Sequence, residues 1–285
     1  MTEPVIFWTG CNVLRHGEII HACIDILRAL GFDPVPRGGP DYCCGTVKDD
    51  NQTTAGGMAS RTVNKFNAIG LSRLIAWCPS CHAHMHDFME KANDVGFKTE
   101  FLVDVIYRHR AQLIPLLTHQ VNLRVVLHKH VGFNDLVPVN SMVSELLRII
   151  PGIEVIEVDY VTPGYMCVAL ATVPGAIEDM HKNLVQQVER NRADAVVTTF
   201  HQCYRELCGL EAAGVTQVFN YIHLIARAMG LTYEDQYKTW KKAGAQAMDL
   251  IGEERVSKVG IEFFRRAVLP ELQKRPKLSA SKERQ

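Results

Sequence analysis

Residues 74–82 read Leu-Ile-Ala-Trp-Cys-Pro-Ser-Cys-His, a short apolar run that leads directly into a CxxC motif. The run from Leu74 to Trp77 predicts a compact strand, and a helix is expected to begin near Ser80. A helix that starts here lets both sulfurs point the same way, and its N-terminus stabilises their negative charge. The two cysteines therefore lie just after the carboxyl end of a strand, which is where open α/β sheets place their binding and active sites.

Two other stretches bring cysteines to similar places in the same half of the chain. An apolar strand from Val5 to Thr9 runs into Cys11, and the turn at 38–40 delivers Cys43-Cys44 on a loop. Adjacent side chains point to opposite faces of a regular strand, so this pair needs a kinked loop if both sulfurs face one centre. Gly45 would then allow the backbone to come close to that centre.

The three stretches together form the pattern C-x31-CCG-x32-CxxC. A tetrahedral zinc ion takes four ligands, so a fifth thiol is surplus for zinc, whereas a cluster of several irons can use it. Thiolate is also the soft donor that iron in such clusters prefers. The pattern favours an iron–sulfur cluster over zinc or over merely buried or disulfide-paired cysteines. The candidate ligands are Cys11, Cys43, Cys44, Cys78 and Cys81.

The second half of the chain repeats the plan of the first. Thr199-Phe200-His201-Gln202-Cys203-Tyr204 lies over residues 77–82 at an offset of 122, and an apolar strand precedes each segment. A repeat of this length predicts an α/β fold with two similar domains, related by pseudo-twofold symmetry. We expect an N-terminal repeat at 1–119, a degenerate C-terminal repeat at 120–273, and a flexible charged tail at 274–285.

Only two of the five thiols have a cysteine at the corresponding position of the second repeat. Cys44 corresponds to Cys167 and Cys81 to Cys203. Apolar side chains replace the other three, which would leave a second cluster short of ligands. We therefore expect one cluster, in the first repeat. The apolar replacements are Val131 for Cys11, Met166 for Cys43 and Phe200 for Cys78.

The motif C-x31-CCG-x32-CxxC resembles the cysteine-rich CCG domain found in the B subunit of heterodisulfide reductase, and in related succinate dehydrogenase and glycolate or lactate oxidase subunits. The resemblance covers the chain as two such repeats, of which the first has the full motif. It implies one [4Fe-4S] cluster, an ordinary cubane or the irregular form of the family, held by the five cysteines. One intact and one degraded repeat look most like the heterodisulfide-reductase-like complexes of sulfur-oxidising microbes.

This resemblance also implies partners. They would be an iron–sulfur protein similar to the C subunit of heterodisulfide reductase, a flavin protein similar to its A subunit, and a thiol, disulfide or sulfur-carrier substrate. No G-x-G-x-x-G motif opens a helix in this sequence, so we expect no flavin or nicotinamide site on the chain itself. Electrons would then have to come from other proteins of the complex.

Cys167 and Cys203 allow three interpretations. They are buried remnants of lost ligands, a redox-active catalytic pair that exchanges with sulfane sulfur or a disulfide, or zinc ligands. Zinc would need a nearby histidine such as His128, His130 or His201. In the first repeat, His82 adjoins a cysteine of the motif and is the best-placed histidine to hydrogen-bond to the cluster or donate a proton to it.

Composition limits the other functions. Lys and Arg total 31 and Asp and Glu also total 31, so no charged surface for nucleic acid is expected. No apolar run approaches the length of a membrane span, and the first residues show no pattern of a secretion signal, so we expect none. Nine cysteines without such a signal fit thiolates in a reducing cytoplasm.

Three functions remain open at this point. The chain belongs to an oxidoreductase complex that acts on sulfur groups, is a non-catalytic electron-relay or assembly subunit of such a complex, or is a zinc-stabilised structural protein.

Overall fold

Each half of the chain folds around one parallel sheet of four strands. The computed structural model describes residues 2–46, 51–132 and 136–278. The first sheet has the order β2-β1-β3-β4 and the second the order β6-β5-β7-β8, so the two have the same topology. This confirms the predicted α/β fold with two similar domains. The strands are β1 (Glu3–Gly10), β2 (Phe32–Gly38), β3 (Arg73–Ala76), β4 (Lys98–Phe101), β5 (Leu123–His128), β6 (Ile153–Ile156), β7 (Ala195–Thr198) and β8 (Gln217–Asn220).

Helices connect the strands and cover the sheets. They are α1 (Gly17–Ala29), α2 (Gln52–Asn67), α3 (Pro79–His84), α4 (Glu90–Ala92), α5 (Leu102–Arg108), α6 (Arg110–Leu113), α7 (Val139–Arg148), α8 (Ala176–Asn191), α9 (His201–Ala212), α10 (Tyr221–Ala228), α11 (Gln236–Ala243), α12 (Ala247–Ile251), α13 (Glu253–Val259), α14 (Ile261–Phe263) and α15 (Leu269–Gln273). Short 3-10 helices occur at Val13–Arg15, Pro40–Tyr42, Ile114–Leu116, Cys167–Thr172 and Gly244–Gln246, and π turns at Met85–Met89 and Phe264–Val268. We call the part through Leu116 the first lobe and the part from Leu123 the second lobe.

The central strands of both sheets are largely apolar, and their carboxyl-terminal parts are buried. In β1 the residues from Val5 to Trp8 have no solvent exposure, and β7 is buried along its whole length. A strand covered by helices on both faces reads as such a continuous apolar run. β2 differs, since it carries Pro34 and Pro36, and it lies at the edge of its sheet, where a missing N–H is tolerated.

The two lobes pack against each other through a shared apolar core. Trp77, at the end of β3, stacks on Tyr221 of α10 with ring centroids 6.2 Å apart. Arg205 of α9 donates to the Asn12 side chain at 2.8 Å, next to the first cysteine of the motif. One continuous cluster of buried side chains includes residues of both sheets. The end of β3 is therefore packed against the second lobe.

The predicted domain limits stay a prediction, and the structure adds two observations on them. The first lobe's last turn ends at Leu116 and β5 begins at Leu123, on either side of the division expected at 119/120. At the start of the predicted tail, Lys274 pairs with Glu206 at 2.8 Å. The rest of that tail, from residue 279 on, lies outside the described residues. Among those described, no helix has the length and apolarity to cross a membrane.

Candidate metal centres

The CxxC motif is built at the junction of β3 and α3. The strand ends at Ala76, and Cys78 takes the extended conformation (φ −79°, ψ 124°) that caps the helix beginning at Pro79. Proline suits the first turn of a helix because its missing N–H would have no partner there anyway. Cys81 follows within that first turn, and both thiols are buried. The local sequence thus fixes two sulfur donors at the carboxyl end of the first sheet.

The cysteine pair is placed by a loop that is tied to α2. Cys43 and Cys44 follow the turn Pro40–Tyr42, and the Thr62 hydroxyl donates to the Cys43 carbonyl at 2.8 Å. Gly45 has φ +99°, and a Cβ there would lie 2.6 Å from the carbonyl oxygen of Ala55. The structure therefore gives a different reason for glycine at this position. Gly45 lies close to the backbone of α2, whereas the sequence led us to expect close approach to a metal centre.

All five predicted thiols meet at this edge of the first sheet. Cys11 comes one residue after β1, and its sulfur lies 4.0 Å from that of Cys43. The sulfurs of Cys81 and Cys44 are 3.7 Å apart. Cys11 is partly exposed, whereas the other four thiols are buried, and all are free thiols. The centre thus has one edge that solvent reaches.

The five thiols differ widely in pKa, because their contacts with one another raise some of these values and lower others. The contact with Cys11 lowers the pKa of Cys43 to about 2, while the same contact raises the pKa of Cys11. Cys43 in turn raises the pKa of Cys44 to about 12. Cys81 lowers the pKa of Cys78, and its own pKa is raised, first by its contact with Cys44. The raised pKa values keep several of these crowded thiols protonated, so metal binding would displace protons from them.

The space next to the CxxC motif is kept clear by Gly10. This residue has φ +78°, and a Cβ there would lie 2.9 Å from the Cβ of Cys78 and 3.4 Å from the sulfur of Cys81. Among the described residues, no three of the five sulfurs lie within 4.8 Å of one another. A single tetrahedral ion would hold its sulfurs about 3.8 Å apart. The donors and the cleared space fit a group larger than one ion, such as an iron–sulfur cluster.

The second lobe gathers a different set of donors at the corresponding edge of its sheet. His128 is the last residue of β5, and His130 lies two residues further on. Cys167 opens a 3-10 turn, and Cys203 is in the first turn of α9. These four side chains are almost fully buried, and their donor atoms all lie within 4.8 Å of one another.

The distances in this second group are short. The Nε2 atoms of His128 and His130 are 3.0 Å apart. Cys167 Sγ lies 3.2 Å from His128 Nε2 and 3.5 Å from His130 Nε2, and Cys203 Sγ lies 3.3 Å from His130 Nε2. The backbone N–H of Cys167 donates to the sulfur of Cys203 at 3.4 Å. The fold thus brings the two residual cysteines together, as the repeat led us to expect.

Two predicted histidines lie elsewhere. His201 is buried and does not belong to the group of four; its ring lies 6.2 Å from Trp77, and burial lowers its pKa to about 3. His82 stacks on Phe101 at 5.1 Å, and burial lowers its pKa to about 4. In the first lobe it is His84, at the end of the same short helix, whose charge helps to lower the pKa of Cys43 after the larger effects of Cys11 and Cys44.

The sequence alone did not show which of three histidines, His128, His130 or His201, lie beside the two cysteines of the second lobe. The signal that could have selected two of them is the His-x-His pair at the end of the apolar strand β5, because residues i and i+2 share one face of a strand.

Comparison with known protein families supports the resemblance of the first lobe to a cysteine-rich CCG domain. The model of the cysteine-rich CCG domain matches residues 5–86, a segment that contains all five thiols of the motif. The match ends before the second lobe begins. Together with the group of cysteines and histidines in that lobe, it indicates a metal-binding protein. Comparison with curated protein sequences gave no significant match.

Among solved structures, a hypothetical protein from Helicobacter pylori has a TM-score of 0.52 at 9% identity. The alignment covers 82% of this chain and 51% of that one, so the chain spans about half the length of that structure. An aspartate racemase homologue from Pyrococcus horikoshii OT3 aligns with a TM-score of 0.35 at 9% identity, over 80% of this chain and 97% of that one. The first of these shows that the two-domain α/β fold is shared, and at such low identity it shows the fold alone.

Proposed function

We propose that this chain is the iron–sulfur subunit of a heterodisulfide-reductase-like oxidoreductase complex that transfers electrons in thiol, disulfide or sulfane-sulfur chemistry. The observation that carries the proposal is the convergence of five free thiols at one sheet edge, inside the segment that matches the CCG domain. The cofactor would be one [4Fe-4S] cluster, either an ordinary cubane or the irregular type of that family. When bound, such a cluster supplies one-electron redox chemistry.

Three segments of the first lobe would supply the ligands of this cofactor. Cys78 and Cys81 are fixed by α3, whose N-terminus favours negative charge on their sulfurs. Cys43 and Cys44 are supplied by the loop bonded to α2. Cys11 lies at the partly exposed edge, so a substrate sulfur group would approach from its side.

The partners are part of the same proposal. Because the sequence has no dinucleotide-binding motif, electrons would pass through an iron–sulfur partner protein and a flavin partner protein of the complex. We place the complex in the cytoplasm, where free thiols persist.

The test is anaerobic purification of the full chain with iron and sulfide analysis and EPR. We expect a brown protein whose iron is lost when Cys44→Ser and Cys78→Ser are combined. Cys23→Ala is the matched control, because Cys23 is also fully buried in the first lobe but lies in the apolar core. A colourless, iron-free preparation would refute the proposal and favour a zinc-stabilised structural protein, and a double variant that keeps its cluster would refute the proposed ligands.

The second candidate is an electron-relay subunit without catalytic thiols. It is favoured by the burial of Cys167 and Cys203, which are 0% and 1% exposed and packed against imidazoles. A substrate disulfide would have to open the lobe to reach them. Cys203→His distinguishes the two roles in a complex reconstituted with its partners. Turnover should survive this change in a relay protein and should be lost if the thiol pair is catalytic.

A further inference from the structure

We propose that the second lobe holds a separate, closed zinc site whose ligands are His128, His130, Cys167 and Cys203. The site is distinct from the cluster of the proposed function, because it uses none of the five thiols in the first lobe. It would bind one ion and take no part in electron transfer, since zinc has no redox chemistry under biological conditions.

The spacing of the donors fits one tetrahedral ion. Zinc lies about 2.3 Å from a thiolate and about 2.0–2.1 Å from an imidazole nitrogen, which places neighbouring donors about 3.3–3.8 Å apart. The donor pairs with measured separations in this lobe lie 3.0–3.5 Å apart. Such a set would need to spread by only a few tenths of an ångström to take up the ion.

Charge and burial favour the same assignment. Each of the four residues is at most 3% exposed, so an uncompensated charge would be costly there. Two thiolates and two neutral imidazoles balance the charge of a divalent cation. With four protein ligands no position is left for a substrate or water, which is the arrangement of structural zinc sites.

The position of His130 explains how this lobe changed its donor set. In β3 and β7 the offset of 122 places Ala76 on Thr198, and these residues pair with Trp8 and His128 in the neighbouring strands. Two residues further along, Gly10 in the first lobe corresponds to His130 in the second. Gly10 leaves space beside its thiols, whereas the imidazole of His130 fills that space and contacts both sulfurs.

The elements that carry the ligands are held in place by the fold. The Asn140 amide donates to the His130 carbonyl at 2.8 Å, and His130 forms a parallel bridge with Thr162. Cys203 is fixed by α9, and Cys167 by its N–H bond to the sulfur of Cys203. Ligands from a strand end, a 3-10 turn and a helix converge on one point, so the ion would tie these three elements together.

The test measures metal directly, without an activity assay. The full chain is purified under anaerobic conditions with its iron retained, its zinc content is measured, and a parallel preparation from cells supplied with Co²⁺ is examined by absorption spectroscopy. We expect about one zinc ion per chain and the intense visible absorption of tetrahedral Co²⁺ with thiolate ligands. Cys203→Ser and His130→Gly should abolish both signals, whereas His201→Gln, a buried neighbour outside the ligand set, should keep them.

Cys203→His is the second variant, because it keeps four donors and should retain zinc even if Cys203→Ser fails to fold. Zinc retained by Cys203→Ser, a Cys167–Cys203 disulfide in the native protein, or iron in place of zinc at this site would overturn the proposal. Since iron in the first lobe is tested with Cys44→Ser and Cys78→Ser, either metal assignment can fail while the other stands.

Discussion

Gly10 and His130 occupy the same position in the two lobes. Gly10 pairs with Gly38 across the first sheet, and His130 bridges to Thr162 in the same parallel sense across the second. Gly10 has a positive φ and lies where a side chain would strike Cys78, whereas His130 places its ring between two thiols. One backbone position therefore separates a lobe with room for a large inorganic group from a lobe whose centre is filled by imidazole.

Gly10→Ala tests the importance of that room. An added Cβ would lie 2.9 Å from the Cβ of Cys78 at a backbone conformation that alanine disfavours, so Cys78 must move. We expect iron per chain to fall at least severalfold in anaerobic preparations, with zinc unchanged. Gly17→Ala is the control, because nothing lies within 4 Å of the added methyl group and the residue begins α1. Equal iron in both variants would contradict the role of Gly10.

Gly45→Ala and Gly57→Ala should have opposite effects on stability. Gly45 has φ +99°, and its Cβ would press on the Ala55 carbonyl at 2.6 Å, so the change should cost about 1–3 kcal/mol. Gly57 lies inside α2 with open space around it, and alanine there should add about 0.5–1 kcal/mol. Urea denaturation of both variants beside the unmodified protein measures the difference. A shift of the same sign in both would show that this account of Gly45 is wrong.

Glu18→Gln should remove a pH-dependent part of the stability. Burial alone raises the pKa of Glu18, but His16 at 3.4 Å and His223 at 3.7 Å outweigh it and lower that pKa to about 2, from an ordinary 4.5. Between these values the unfolded chain binds more protons than the folded one, so stability rises with pH. The ionised carboxylate therefore contributes about 3 kcal/mol above pH 4.5, and this is lost as the pH falls towards 2.

The measurement is the difference in unfolding free energy between Glu18→Gln and the unmodified protein at several pH values. We expect the variant to be less stable by up to about 3 kcal/mol at about pH 5.5, with the gap closing as the pH falls from 4.5 towards 2. A gap that stays constant from about pH 5.5 to about pH 3 would show that the two histidines do not hold the carboxylate in its charged form.

Much of the fold can be read from the sequence because it rests on local patterns. The apolar runs of β1, β3 and β7 mark buried strands, and the offset between the CxxC segment and its counterpart at 199–204 reveals the repeat. The sequence pattern does not predict β2 as a strand. Its Pro34 and Pro36 interrupt the pattern of a strand and are accommodated only because β2 lies at a sheet edge.

For the two candidate metal centres, likewise, the sequence predicts features that depend on spacing, but it does not predict features that depend on the tertiary fold. The five thiols are identified by their spacing, and the structure brings them to one edge. The choice between His128, His130 and His201 depends on which side chains the fold turns towards Cys167, which spacing alone does not give. The expected role of His82 stays a prediction, and the structure adds that its ring stacks on Phe101 and that the charge of His84 lowers the pKa of Cys43.

The most direct test of the account is an anaerobic crystal structure of the full chain with anomalous diffraction measured at the iron and zinc absorption edges. We predict several iron atoms beside Cys43, Cys44, Cys78 and Cys81, and a single zinc atom between His130 and Cys203. Zinc in the first lobe with no iron there, or no metal in either lobe, would contradict the central claim that one lobe holds a redox cluster and the other a structural ion.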